Sequence, residues 1–415
     1  MKALHEDAKI LIRRAIEENL PQEAVHSALK KHSFSGNVYM IAIGKAAWTM
    51  ANAASEELGQ KIEKGLVITK YGHSMGTIPE TEIIEAGHPL SDENTIIGTQ
   101  KAIELAQSLG ENDELLFLIS GGGSALFEQP LSGLRLEDII DINSQLLACG
   151  ADIVEINMIR KRLSSVKAGR FAQLVAPAKI FTVVLSDVLG DRLDSIASGP
   201  VSPDISTVED AAAVVRKHNL NLNDTAREYL NRETPKFLNN VETVITGSVR
   251  TLCDSTARIA EQLGYTPYVL STEMDCEARE AGRLIASIAK QINAGNSAFK
   301  APCAVIFGGE TVVHLKGDGL GGRNQELALA AAEGIENIEN LLIFSLGSDG
   351  TDGPTDAAGG IVDGSTATKL RQKGIKIQNV LDNNDAYNAL INVDGLIMTN
   401  PTGTNVNDVT VILCK

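Results

Sequence analysis

Six short apolar stretches of the sequence each end in small, polar or charged residues. These ends are Gly44-Lys45, Ser120-Gly121-Gly122-Gly123-Ser124, Ser186-Asp187, Thr246-Gly247-Ser248, Gly308-Gly309-Glu310 and Gly347-Ser348-Asp349. Apolar stretches of this kind are typical of buried strands, and an open α/β sheet binds its ligands beyond the carboxyl ends of the strands. The set therefore predicts one large polar site, most simply a cleft between two domains.

The stretch SGGGSA, at positions 120–125, has the composition of an anion-binding loop. Consecutive glycines let backbone N–H groups converge on an anion without interference from Cβ atoms, and a following helix would add positive potential. A tight turn needs only one or two glycines, so three of them between Ser120 and Ser124 favour binding of a phosphate or a carboxylate. The spacing is neither that of a Walker A loop nor that of a G-x-S-x-G elbow.

Several cations stand close to these predicted strand ends. Lys45 ends the first apolar stretch, where a lysine can reach a phosphate or carboxylate oxygen. The segment NMIRKRLSSVKAGR concentrates positive charge at Arg160, Lys161 and Lys167 in an otherwise acidic chain. Some of these side chains belong to a helix surface, and one or two of them are predicted to contact an anionic group.

Two runs of aspartates are embedded in Gly and Thr. SDVLGDRLD contains Asp187, Asp191 and Asp194, and GSDGTDGPTD contains Asp349, Asp352 and Asp356. Carboxylates at these spacings ligate Mg²⁺ or accept a substrate proton. The alternative is that Asp-Gly pairs form turns and cap helices. The second run lacks the ligand spacing of an EF-hand, which excludes a calcium loop of that type.

The segment KGDGLGGRNQEL contains a G-x-G-x-x-G pattern at Gly317, Gly319 and Gly322. The preceding TVVHLK alternates like a strand and is predicted to form a hairpin with CAVIFGGE. A dinucleotide fold needs an acidic residue about 20 positions after the glycines, and the next predicted strand ends too far along, at Asp349. With Arg323 following the glycines, we expect a phosphate loop here rather than a nicotinamide site.

Strands that alternate with amphipathic helices predict an α/β fold with a largely parallel sheet. A polar stretch near residue 238 predicts two domains, a Rossmann-like domain at 1–238 and a second α/β domain at 239–415. The net charge of −16 argues against nucleic-acid and anionic-membrane partners. Five scattered cysteines and a charged N-terminal stretch predict a reduced, cytoplasmic protein without a signal peptide.

Several long motifs together resemble the glycerate 2-kinase family, whose members end in a MOFRL domain. They are, in chain order, SGGGSALFEQP, INMIRKRLSSVKAGR, LSDVLGDRLDSIASGP, GGETVV, GGRNQELAL, GSDGTDGPTDAAGG and PTGTNVND. The resemblance implies that ATP, with Mg²⁺, phosphorylates the 2-hydroxyl of D-glycerate to give 2-phosphoglycerate and ADP. Related sequences are also called hydroxypyruvate reductases, so an NAD(P)H-dependent reductase is the alternative.

The resemblance gives roles to Lys45 and Arg323, and the residue types at the strand ends give roles to the other candidates. Lys45 and Arg323 match the family's active-site lysine and arginine, and with Asp187 they are the expected catalytic residues. Asp187 and Asp191 are the expected Mg²⁺ ligands. The expected substrate- and phosphate-binding residues are Ser120, Gly121, Gly122, Gly123, Ser124, Arg160, Lys161, Glu310, Asn324, Asp349, Asp352 and Thr404. The expected partners are the small molecules D-glycerate and ATP, and a homodimer is compatible with the sequence.

Overall fold

The computed structural model describes residues 2–415, which form two compact α/β units. The first, here called the parallel-sheet unit, runs from Pro21 to Thr246. The second, the mixed-sheet unit, combines the residues before Pro21 with Gly247–Lys415. This division differs from the boundary predicted at 238, because strand β6 (Val241–Gly247) completes the first sheet and helix α1 (Lys2–Glu17) packs in the second unit.

The parallel-sheet unit contains six strands and nine helices among the described residues. The strands are β1 (Asn37–Ile43), β2 (Ile62–Lys70), β3 (Thr81–Ala86), β4 (Asp113–Ile119), β5 (Lys179–Leu185) and β6. The helices are α2 (Pro21–Leu29), α3 (Ala47–Leu58), α4 (Glu93–Gln107), α5 (Gly123–Leu126), α6 (Leu136–Ala148), α7 (Ile153–Leu163), α8 (Arg170–Val175), α9 (Val208–His218) and α10 (Asp224–Leu230).

The strand order in this unit is β3-β2-β1-β4-β5-β6, and the pairings from β3 to β5 are parallel. This is the order of a Rossmann fold, so the predicted fold class is confirmed. The order reverses between β1 and β4. Connections leave these two strands in opposite directions, which opens a crevice at their carboxyl ends. The sheet is apolar because helices cover both faces, and β4 is buried over almost its whole length.

Helices α6, α7, α9 and α10 enclose a small core of their own beside this sheet, centred on Ile142, Leu146 and Ile159. Helix α7 begins sharply because the carboxylate of Asp152 accepts hydrogen bonds from the N–H groups of Val154 and Glu155, both at 2.9 Å. The faces of α6 and α7 that do not enter this core border the crevice described below.

The mixed-sheet unit has the strand order β11-β10-β9-β12-β8-β7, with only β7 and β8 paired in parallel. The strands are β7 (Thr266–Met274), β8 (Cys303–Gly309), β9 (Leu341–Gly347), β10 (Gly359–Asp363), β11 (Leu396–Ile397) and β12 (Asp408–Cys414). The helices besides α1 are α11 (Val249–Gln262), α12 (Ala278–Asn293), α13 (Arg323–Gly334), α14 (Thr366–Gln372), α15 (Ile377–Asp382) and α16 (Ala386–Ile391).

The hairpin predicted after β8 is wrong. Residues 313–322 form no strand, and Leu315 is largely exposed. Val312 makes only an isolated bridge to Glu277, so the alternating pattern of TVVHLK has no buried face to fill. Within the described residues, no helix has the length and apolar character needed to cross a bilayer.

Candidate active site

Three of the predicted groups meet at the crevice of the parallel-sheet unit. Lys45 follows β1, the SGGGS loop (residues 120–124) follows β4, and Asp187 follows β5. Because β1, β4 and β5 are neighbours in one parallel sheet, their carboxyl ends lie on the same edge. The N–H of Lys45 donates to the carbonyl of Gly121 at 2.9 Å. This hydrogen bond holds Lys45 against the SGGGS loop.

Each glycine of the SGGGS loop lies where a side chain would collide with its neighbours. A Cβ on Gly121 would lie 2.1 Å from Oδ2 of Asp187, and one on Gly122 would lie 3.0 Å from the ring of His88. Gly122 also has φ of 86°, in the left-handed region that glycine favours. The close approach therefore places Asp187 and His88 directly over the loop backbone.

The SGGGS loop keeps backbone donors unused. The N–H groups of Gly122, Gly123 and Ser124 donate to no other described residue. Helix α5, which follows, is only four residues long, so the positive potential expected of a helix is absent and the backbone N–H groups themselves provide the donors. Unused adjacent donors of this kind form a nest for an anion.

The two serines of the loop differ in their roles. Oγ of Ser120 is buried, donates to the carbonyl of Ile43 and accepts from the N–H of Ala46, so it locks the loop to β1 rather than facing a ligand. Oγ of Ser124 is 3.0 Å from Oγ of Ser198 and lines the open side. A ligand contact therefore stays a prediction for Ser124 and is not supported for the side chain of Ser120.

The structure separates the neighbouring cations Arg160 and Lys161. Arg160 lines the crevice, and its guanidinium makes no hydrogen bond or ion pair with the rest of the described chain. Lys161 is buried, with its Nζ 3.0 Å from Asp194 and 3.5 Å from Asp204. The predicted phosphate contact is therefore unsupported for Lys161, because its side chain is only 4% exposed and two carboxylates hold its Nζ. Lys45, like Arg160, has no ion-pair partner in the described chain.

Lys167 supports the loop from beneath. Its fully buried Nζ donates to the carbonyls of Ser124 and Phe127 at 2.8 and 2.9 Å and lies 3.4 Å from Glu128. Burial lowers the pKa of Lys167 to about 8. The sequence indicated only that this lysine belongs to a positively charged segment, whereas its contacts make it a structural support of the SGGGS loop.

His88 was missed at the level of sequence. His88 lies just after β3, whose end is not among the six strand ends described above. The only distinctive feature of its sequence context is the proline that follows it, Pro89. Burial and the positive charge of Lys45 lower the pKa of His88. The imidazole is therefore neutral near physiological pH and can accept a hydrogen bond inside the crevice.

The predicted Mg²⁺ ligands are Asp187 and Asp191. Asp187 lines the crevice beside Gly121. Asp191 has φ of 51°, and its buried Oδ1 has no hydrogen-bond partner in the described chain. Asp194 instead forms ion pairs with Lys161 and Arg192. Among the described residues, no group of three or more His, Cys, Asp or Glu side chains is arranged to hold a metal ion.

The crevice is a cavity of about 650 Å³ with two chemically different ends. The polar end is formed by the SGGGS loop, His88, Arg160 and Asp187. The opposite wall is formed by apolar side chains of α6 and α7, including Leu147, Ile153 and Val154.

Arg323 anchors a second polar cluster, in the mixed-sheet unit. The first residue of β12, Asp408, lies opposite the last residues of both β8 and β9. Its carboxylate accepts hydrogen bonds from Nε and Nη2 of Arg323 at 2.5 and 2.9 Å, and Glu310 lies 3.2 Å from Nη1. Although burial opposes the charge, the hydrogen bonds to Asp408 raise the pKa of Arg323. Arg323 is thus held rigidly as a cation.

Asp352 caps helix α13 from within the same unit. Its carboxylate accepts hydrogen bonds from the N–H groups of Asn324 and Gln325 at 3.2 and 2.8 Å. Burial raises the pKa of Asp352 to about 7. The side chain of Asn324 is buried and accepts a hydrogen bond from Ser345. The contacts of Asp352 and Asn324 are structural, so ligand contacts by either side chain are unsupported.

Two further candidates differ in accessibility. Asp349 is partly exposed and accepts a hydrogen bond from the N–H of Thr351 at 3.0 Å, so its predicted ligand contact stays a prediction. Thr404 is buried, and its hydroxyl donates to the carbonyl of Asn19 at 2.8 Å. A substrate contact is therefore unsupported for Thr404, because its only donor is already used.

The loop Lys316–Gly322, here called the GDGLGG loop, packs against the turn Asn383–Asp385. The N–H groups of Lys316 and Gly317 donate to the side chain of Asn384, that of Gly319 donates to the carbonyl of Asn383, and that of Leu320 donates to Asp385. A Cβ on Gly319 would lie 2.4 Å from the carbonyl oxygen of Asn383. The glycines therefore allow close packing, and the phosphate-loop prediction is unsupported here.

Comparisons with known proteins cover nearly the whole chain. Residues 7–231 match a family described as a domain of unknown function (DUF4147), and residues 303–408 match the MOFRL family. A D-glycerate 2-kinase of Thermotoga maritima is 54% identical over 96% of this chain and 95% of its own length. A glycerate 2-kinase of Pyrococcus horikoshii is 41% identical over 97% of this chain and 96% of its own.

Two further matches are a solved structure and a relative that bears a different name. The crystal structure of a glycerate kinase from Thermotoga maritima matches all of both chains with a TM-score of 0.97 and 53% identity. A relative from Agrobacterium vitis, 37% identical over 91% of this chain and 99% of its own length, bears the name putative hydroxypyruvate reductase.

Proposed function

Because the chain belongs to the glycerate 2-kinase family, we propose that it transfers the γ-phosphoryl group of ATP to the 2-hydroxyl of D-glycerate, releasing 2-phosphoglycerate and ADP. One observation supports this most strongly. The crevice at the switch point of a Rossmann sheet combines three unused backbone donors with Arg160 in its lining and Lys45 packed beside Gly122, and neither cation forms an ion pair in the described chain. Such a site suits a polyphosphate.

Phosphoryl transfer depends on in-line positioning and on positive charge beside the transferred oxygens, and it needs little covalent chemistry from the protein. We assign the SGGGS loop and Arg160 to the phosphates of the donor, and Lys45 to the transferred group. Asp187 accepts the hydrogen bond of the attacking 2-hydroxyl and takes its proton. The neutral ring of His88, beside the same loop, excludes water and can accept a second hydrogen bond.

The carboxylates fit a magnesium ion. Mg²⁺ is usually held by one or two carboxylates together with phosphate oxygens and water. Asp187 lines the crevice, and Asp191 has a buried oxygen without a hydrogen-bond partner. We therefore assign Mg²⁺ binding to Asp187 and Asp191. When bound, the ion neutralises charge on the phosphate oxygens.

Arg323 is proposed to act on the same reaction as a fixed cation. Asp408 and Glu310 hold its guanidinium from two sides, while a third of the side chain stays exposed. A rigid, permanently charged group of this kind stabilises charge that develops in the transition state, since no reorganisation is needed when the reaction occurs.

A nicotinamide-dependent reductase is less well supported by the residues of the first βα turn. A dinucleotide-binding Rossmann fold has G-x-G-x-x-G after the first strand and an acidic residue at the end of the second. Here β1 is followed by Gly44-Lys45-Ala46-Ala47, and β2 ends in Lys70. A lysine there cannot accept hydrogen bonds from the ribose of NAD, and the missing glycine pattern counts against both NAD and NADP.

The decisive experiment is incubation with ATP, Mg²⁺ and D-glycerate, followed by NMR assignment of the phosphorylated carbon. We expect ADP and 2-phosphoglycerate in equal amounts. Oxidation of NADH by hydroxypyruvate, with no ADP formed from glycerate, would reverse the assignment in favour of a reductase. We further propose a cytoplasmic location, in keeping with five free cysteines.

A further inference from the structure

The crevice of the parallel-sheet unit is larger and more apolar than a small hydroxy acid requires. Glycerate consists almost entirely of carboxylate and hydroxyl groups, so hydrogen bonds at the SGGGS loop would hold it. The cavity of about 650 Å³ nevertheless extends away from that loop along α6 and α7, and a volume of this size is typical of sites for larger, partly apolar ligands.

The far wall of the crevice is built from one face of each helix. On α6, Leu136, Ile140, Asn143 and Leu147 follow one another at spacings of three and four residues, which places them on one side of the helix. On α7, Ile153, Asn157 and Arg160 have the same spacing. The face of α7 therefore begins apolar and ends, about 10 Å along the axis, in a cation.

From this juxtaposition we infer that the adenosine part of ATP lies on the α6–α7 wall, with its phosphates directed to Arg160 and the SGGGS loop. The inference rests on the proposed function for the identity of the donor. An extended nucleoside triphosphate has the same polarity as the wall, since it is apolar and flat at the base and anionic at the other end.

Two features of the wall support a heterocyclic occupant. Leu147 and Ile153 are 67% and 64% exposed although both line the crevice, so a flat ring would cover apolar surface that now faces water. Between the apolar residues of α6, the amide of Asn143 makes no hydrogen bond in the described chain. An amide both donates and accepts, which matches the edge of a purine base.

The test replaces the exposed wall residues and leaves the phosphate end intact. In the double variant Leu147→Ser/Ile153→Ser, little core packing is lost because both side chains are exposed. The matched control is Leu284→Ser, an equally exposed leucine, 62%, of α12 in the other unit. Calorimetry measures binding of ATP, of adenosine and of inorganic triphosphate, and steady-state kinetics measures the KM for ATP and for D-glycerate.

We expect the double variant to bind ATP and adenosine at least tenfold more weakly, with triphosphate binding and the KM for D-glycerate unchanged. The control should match the wild type throughout. Equal ATP and adenosine affinities in the double variant and the wild type would overturn the inference, and so would an equal loss of triphosphate binding. If the wild type phosphorylates no glycerate but the adenosine effect is seen, the nucleoside site stands and the proposed substrate falls.

Discussion

The molecule contains two glycine-rich loops with opposite hydrogen-bond states. In the SGGGS loop, the N–H groups of Gly122, Gly123 and Ser124 are unused, and Lys45 and Arg160 lie nearby without an ion-pair partner in the described chain. In the GDGLGG loop, four N–H groups are taken up by the turn at Asn383–Asp385. The G-x-G-x-x-G spelling belongs to the second loop, so a glycine pattern alone does not identify an anion site. What distinguishes a ligand loop is whether its donors are still free.

The largest difference is expected between two lysines of the parallel-sheet unit, Lys45 and Lys161. Lys45→Ala should lower kcat/KM by about 100- to 1,000-fold, because a fixed charge at the phosphoryl group is lost, with an unchanged melting temperature. Lys161→Ala should instead cost about 3–5 kcal/mol of stability, because Asp204 is left buried without its cationic partner. Turnover and thermal unfolding of both variants test this. Wild-type turnover in Lys45→Ala would contradict the assignment.

Substitution of Arg323, in the polar cluster of the mixed-sheet unit, should change both turnover and stability. Arg323→Ala removes a cation and leaves Asp408, which is buried, without its bidentate partner. We therefore expect a large fall in kcat together with a lower free energy of unfolding, unlike Lys45→Ala. An unchanged urea midpoint would show that the pair with Asp408 contributes little to stability.

Matched glycine substitutions compare the loops directly. Gly122→Ala should raise the KM for ATP about tenfold, because its methyl group meets His88 and left-handed φ costs about 1–2 kcal/mol. Gly319→Ala should leave the KM unchanged and lose about 1–3 kcal/mol of stability through its clash with Asn383. If Gly319→Ala raises the KM for ATP as much as Gly122→Ala does, the distinction between the loops fails.

The smallest effect on catalysis is expected for the cap of α13, where the change is in stability alone. Burial raises the pKa of Asp352 to about 7 from an ordinary value of 3.8. Between these two pH values, the carboxyl of Asp352 is ionised in the unfolded chain but still protonated in the folded protein. Its contribution to the free energy of unfolding therefore decreases as the pH rises from about 4 to 7. Asp352→Asn should lack that decline, which amounts to about 1–4 kcal/mol. Urea unfolding at both pH values measures it, and parallel profiles would exclude a protonated Asp352.

The sequence predicted the Rossmann-like sheet well because its strands are continuous apolar runs buried on both faces. It also predicted that Lys45, the SGGGS loop and Asp187 lie close together, since parallel strands bring such ends to one edge, while their roles in binding and catalysis stay predictions. It could not separate Arg160 from Lys161, because adjacent residues on a helix differ only in the direction they face. The structural contacts of Thr404 and Asp352 could not be predicted, because their partners, Asn19 and the N–H groups of α13, come from elsewhere in the fold.

The contacts of helix α1 and of the segment that follows it affect the order in which the two units fold during synthesis. Asn19 donates a hydrogen bond to Ser255, Asp7 contacts Lys415, and His5 contacts Asp363. During synthesis on the ribosome, α1 emerges well before its partners, since His5 and Asp363 are 358 positions apart in the chain. The continuous parallel-sheet unit can fold meanwhile, whereas the mixed-sheet unit is completed last. A circular permutant could link Lys415 to the residues preceding Asp7 and begin at Pro21. In that chain α1 would be synthesised after its partners, and the delay would disappear.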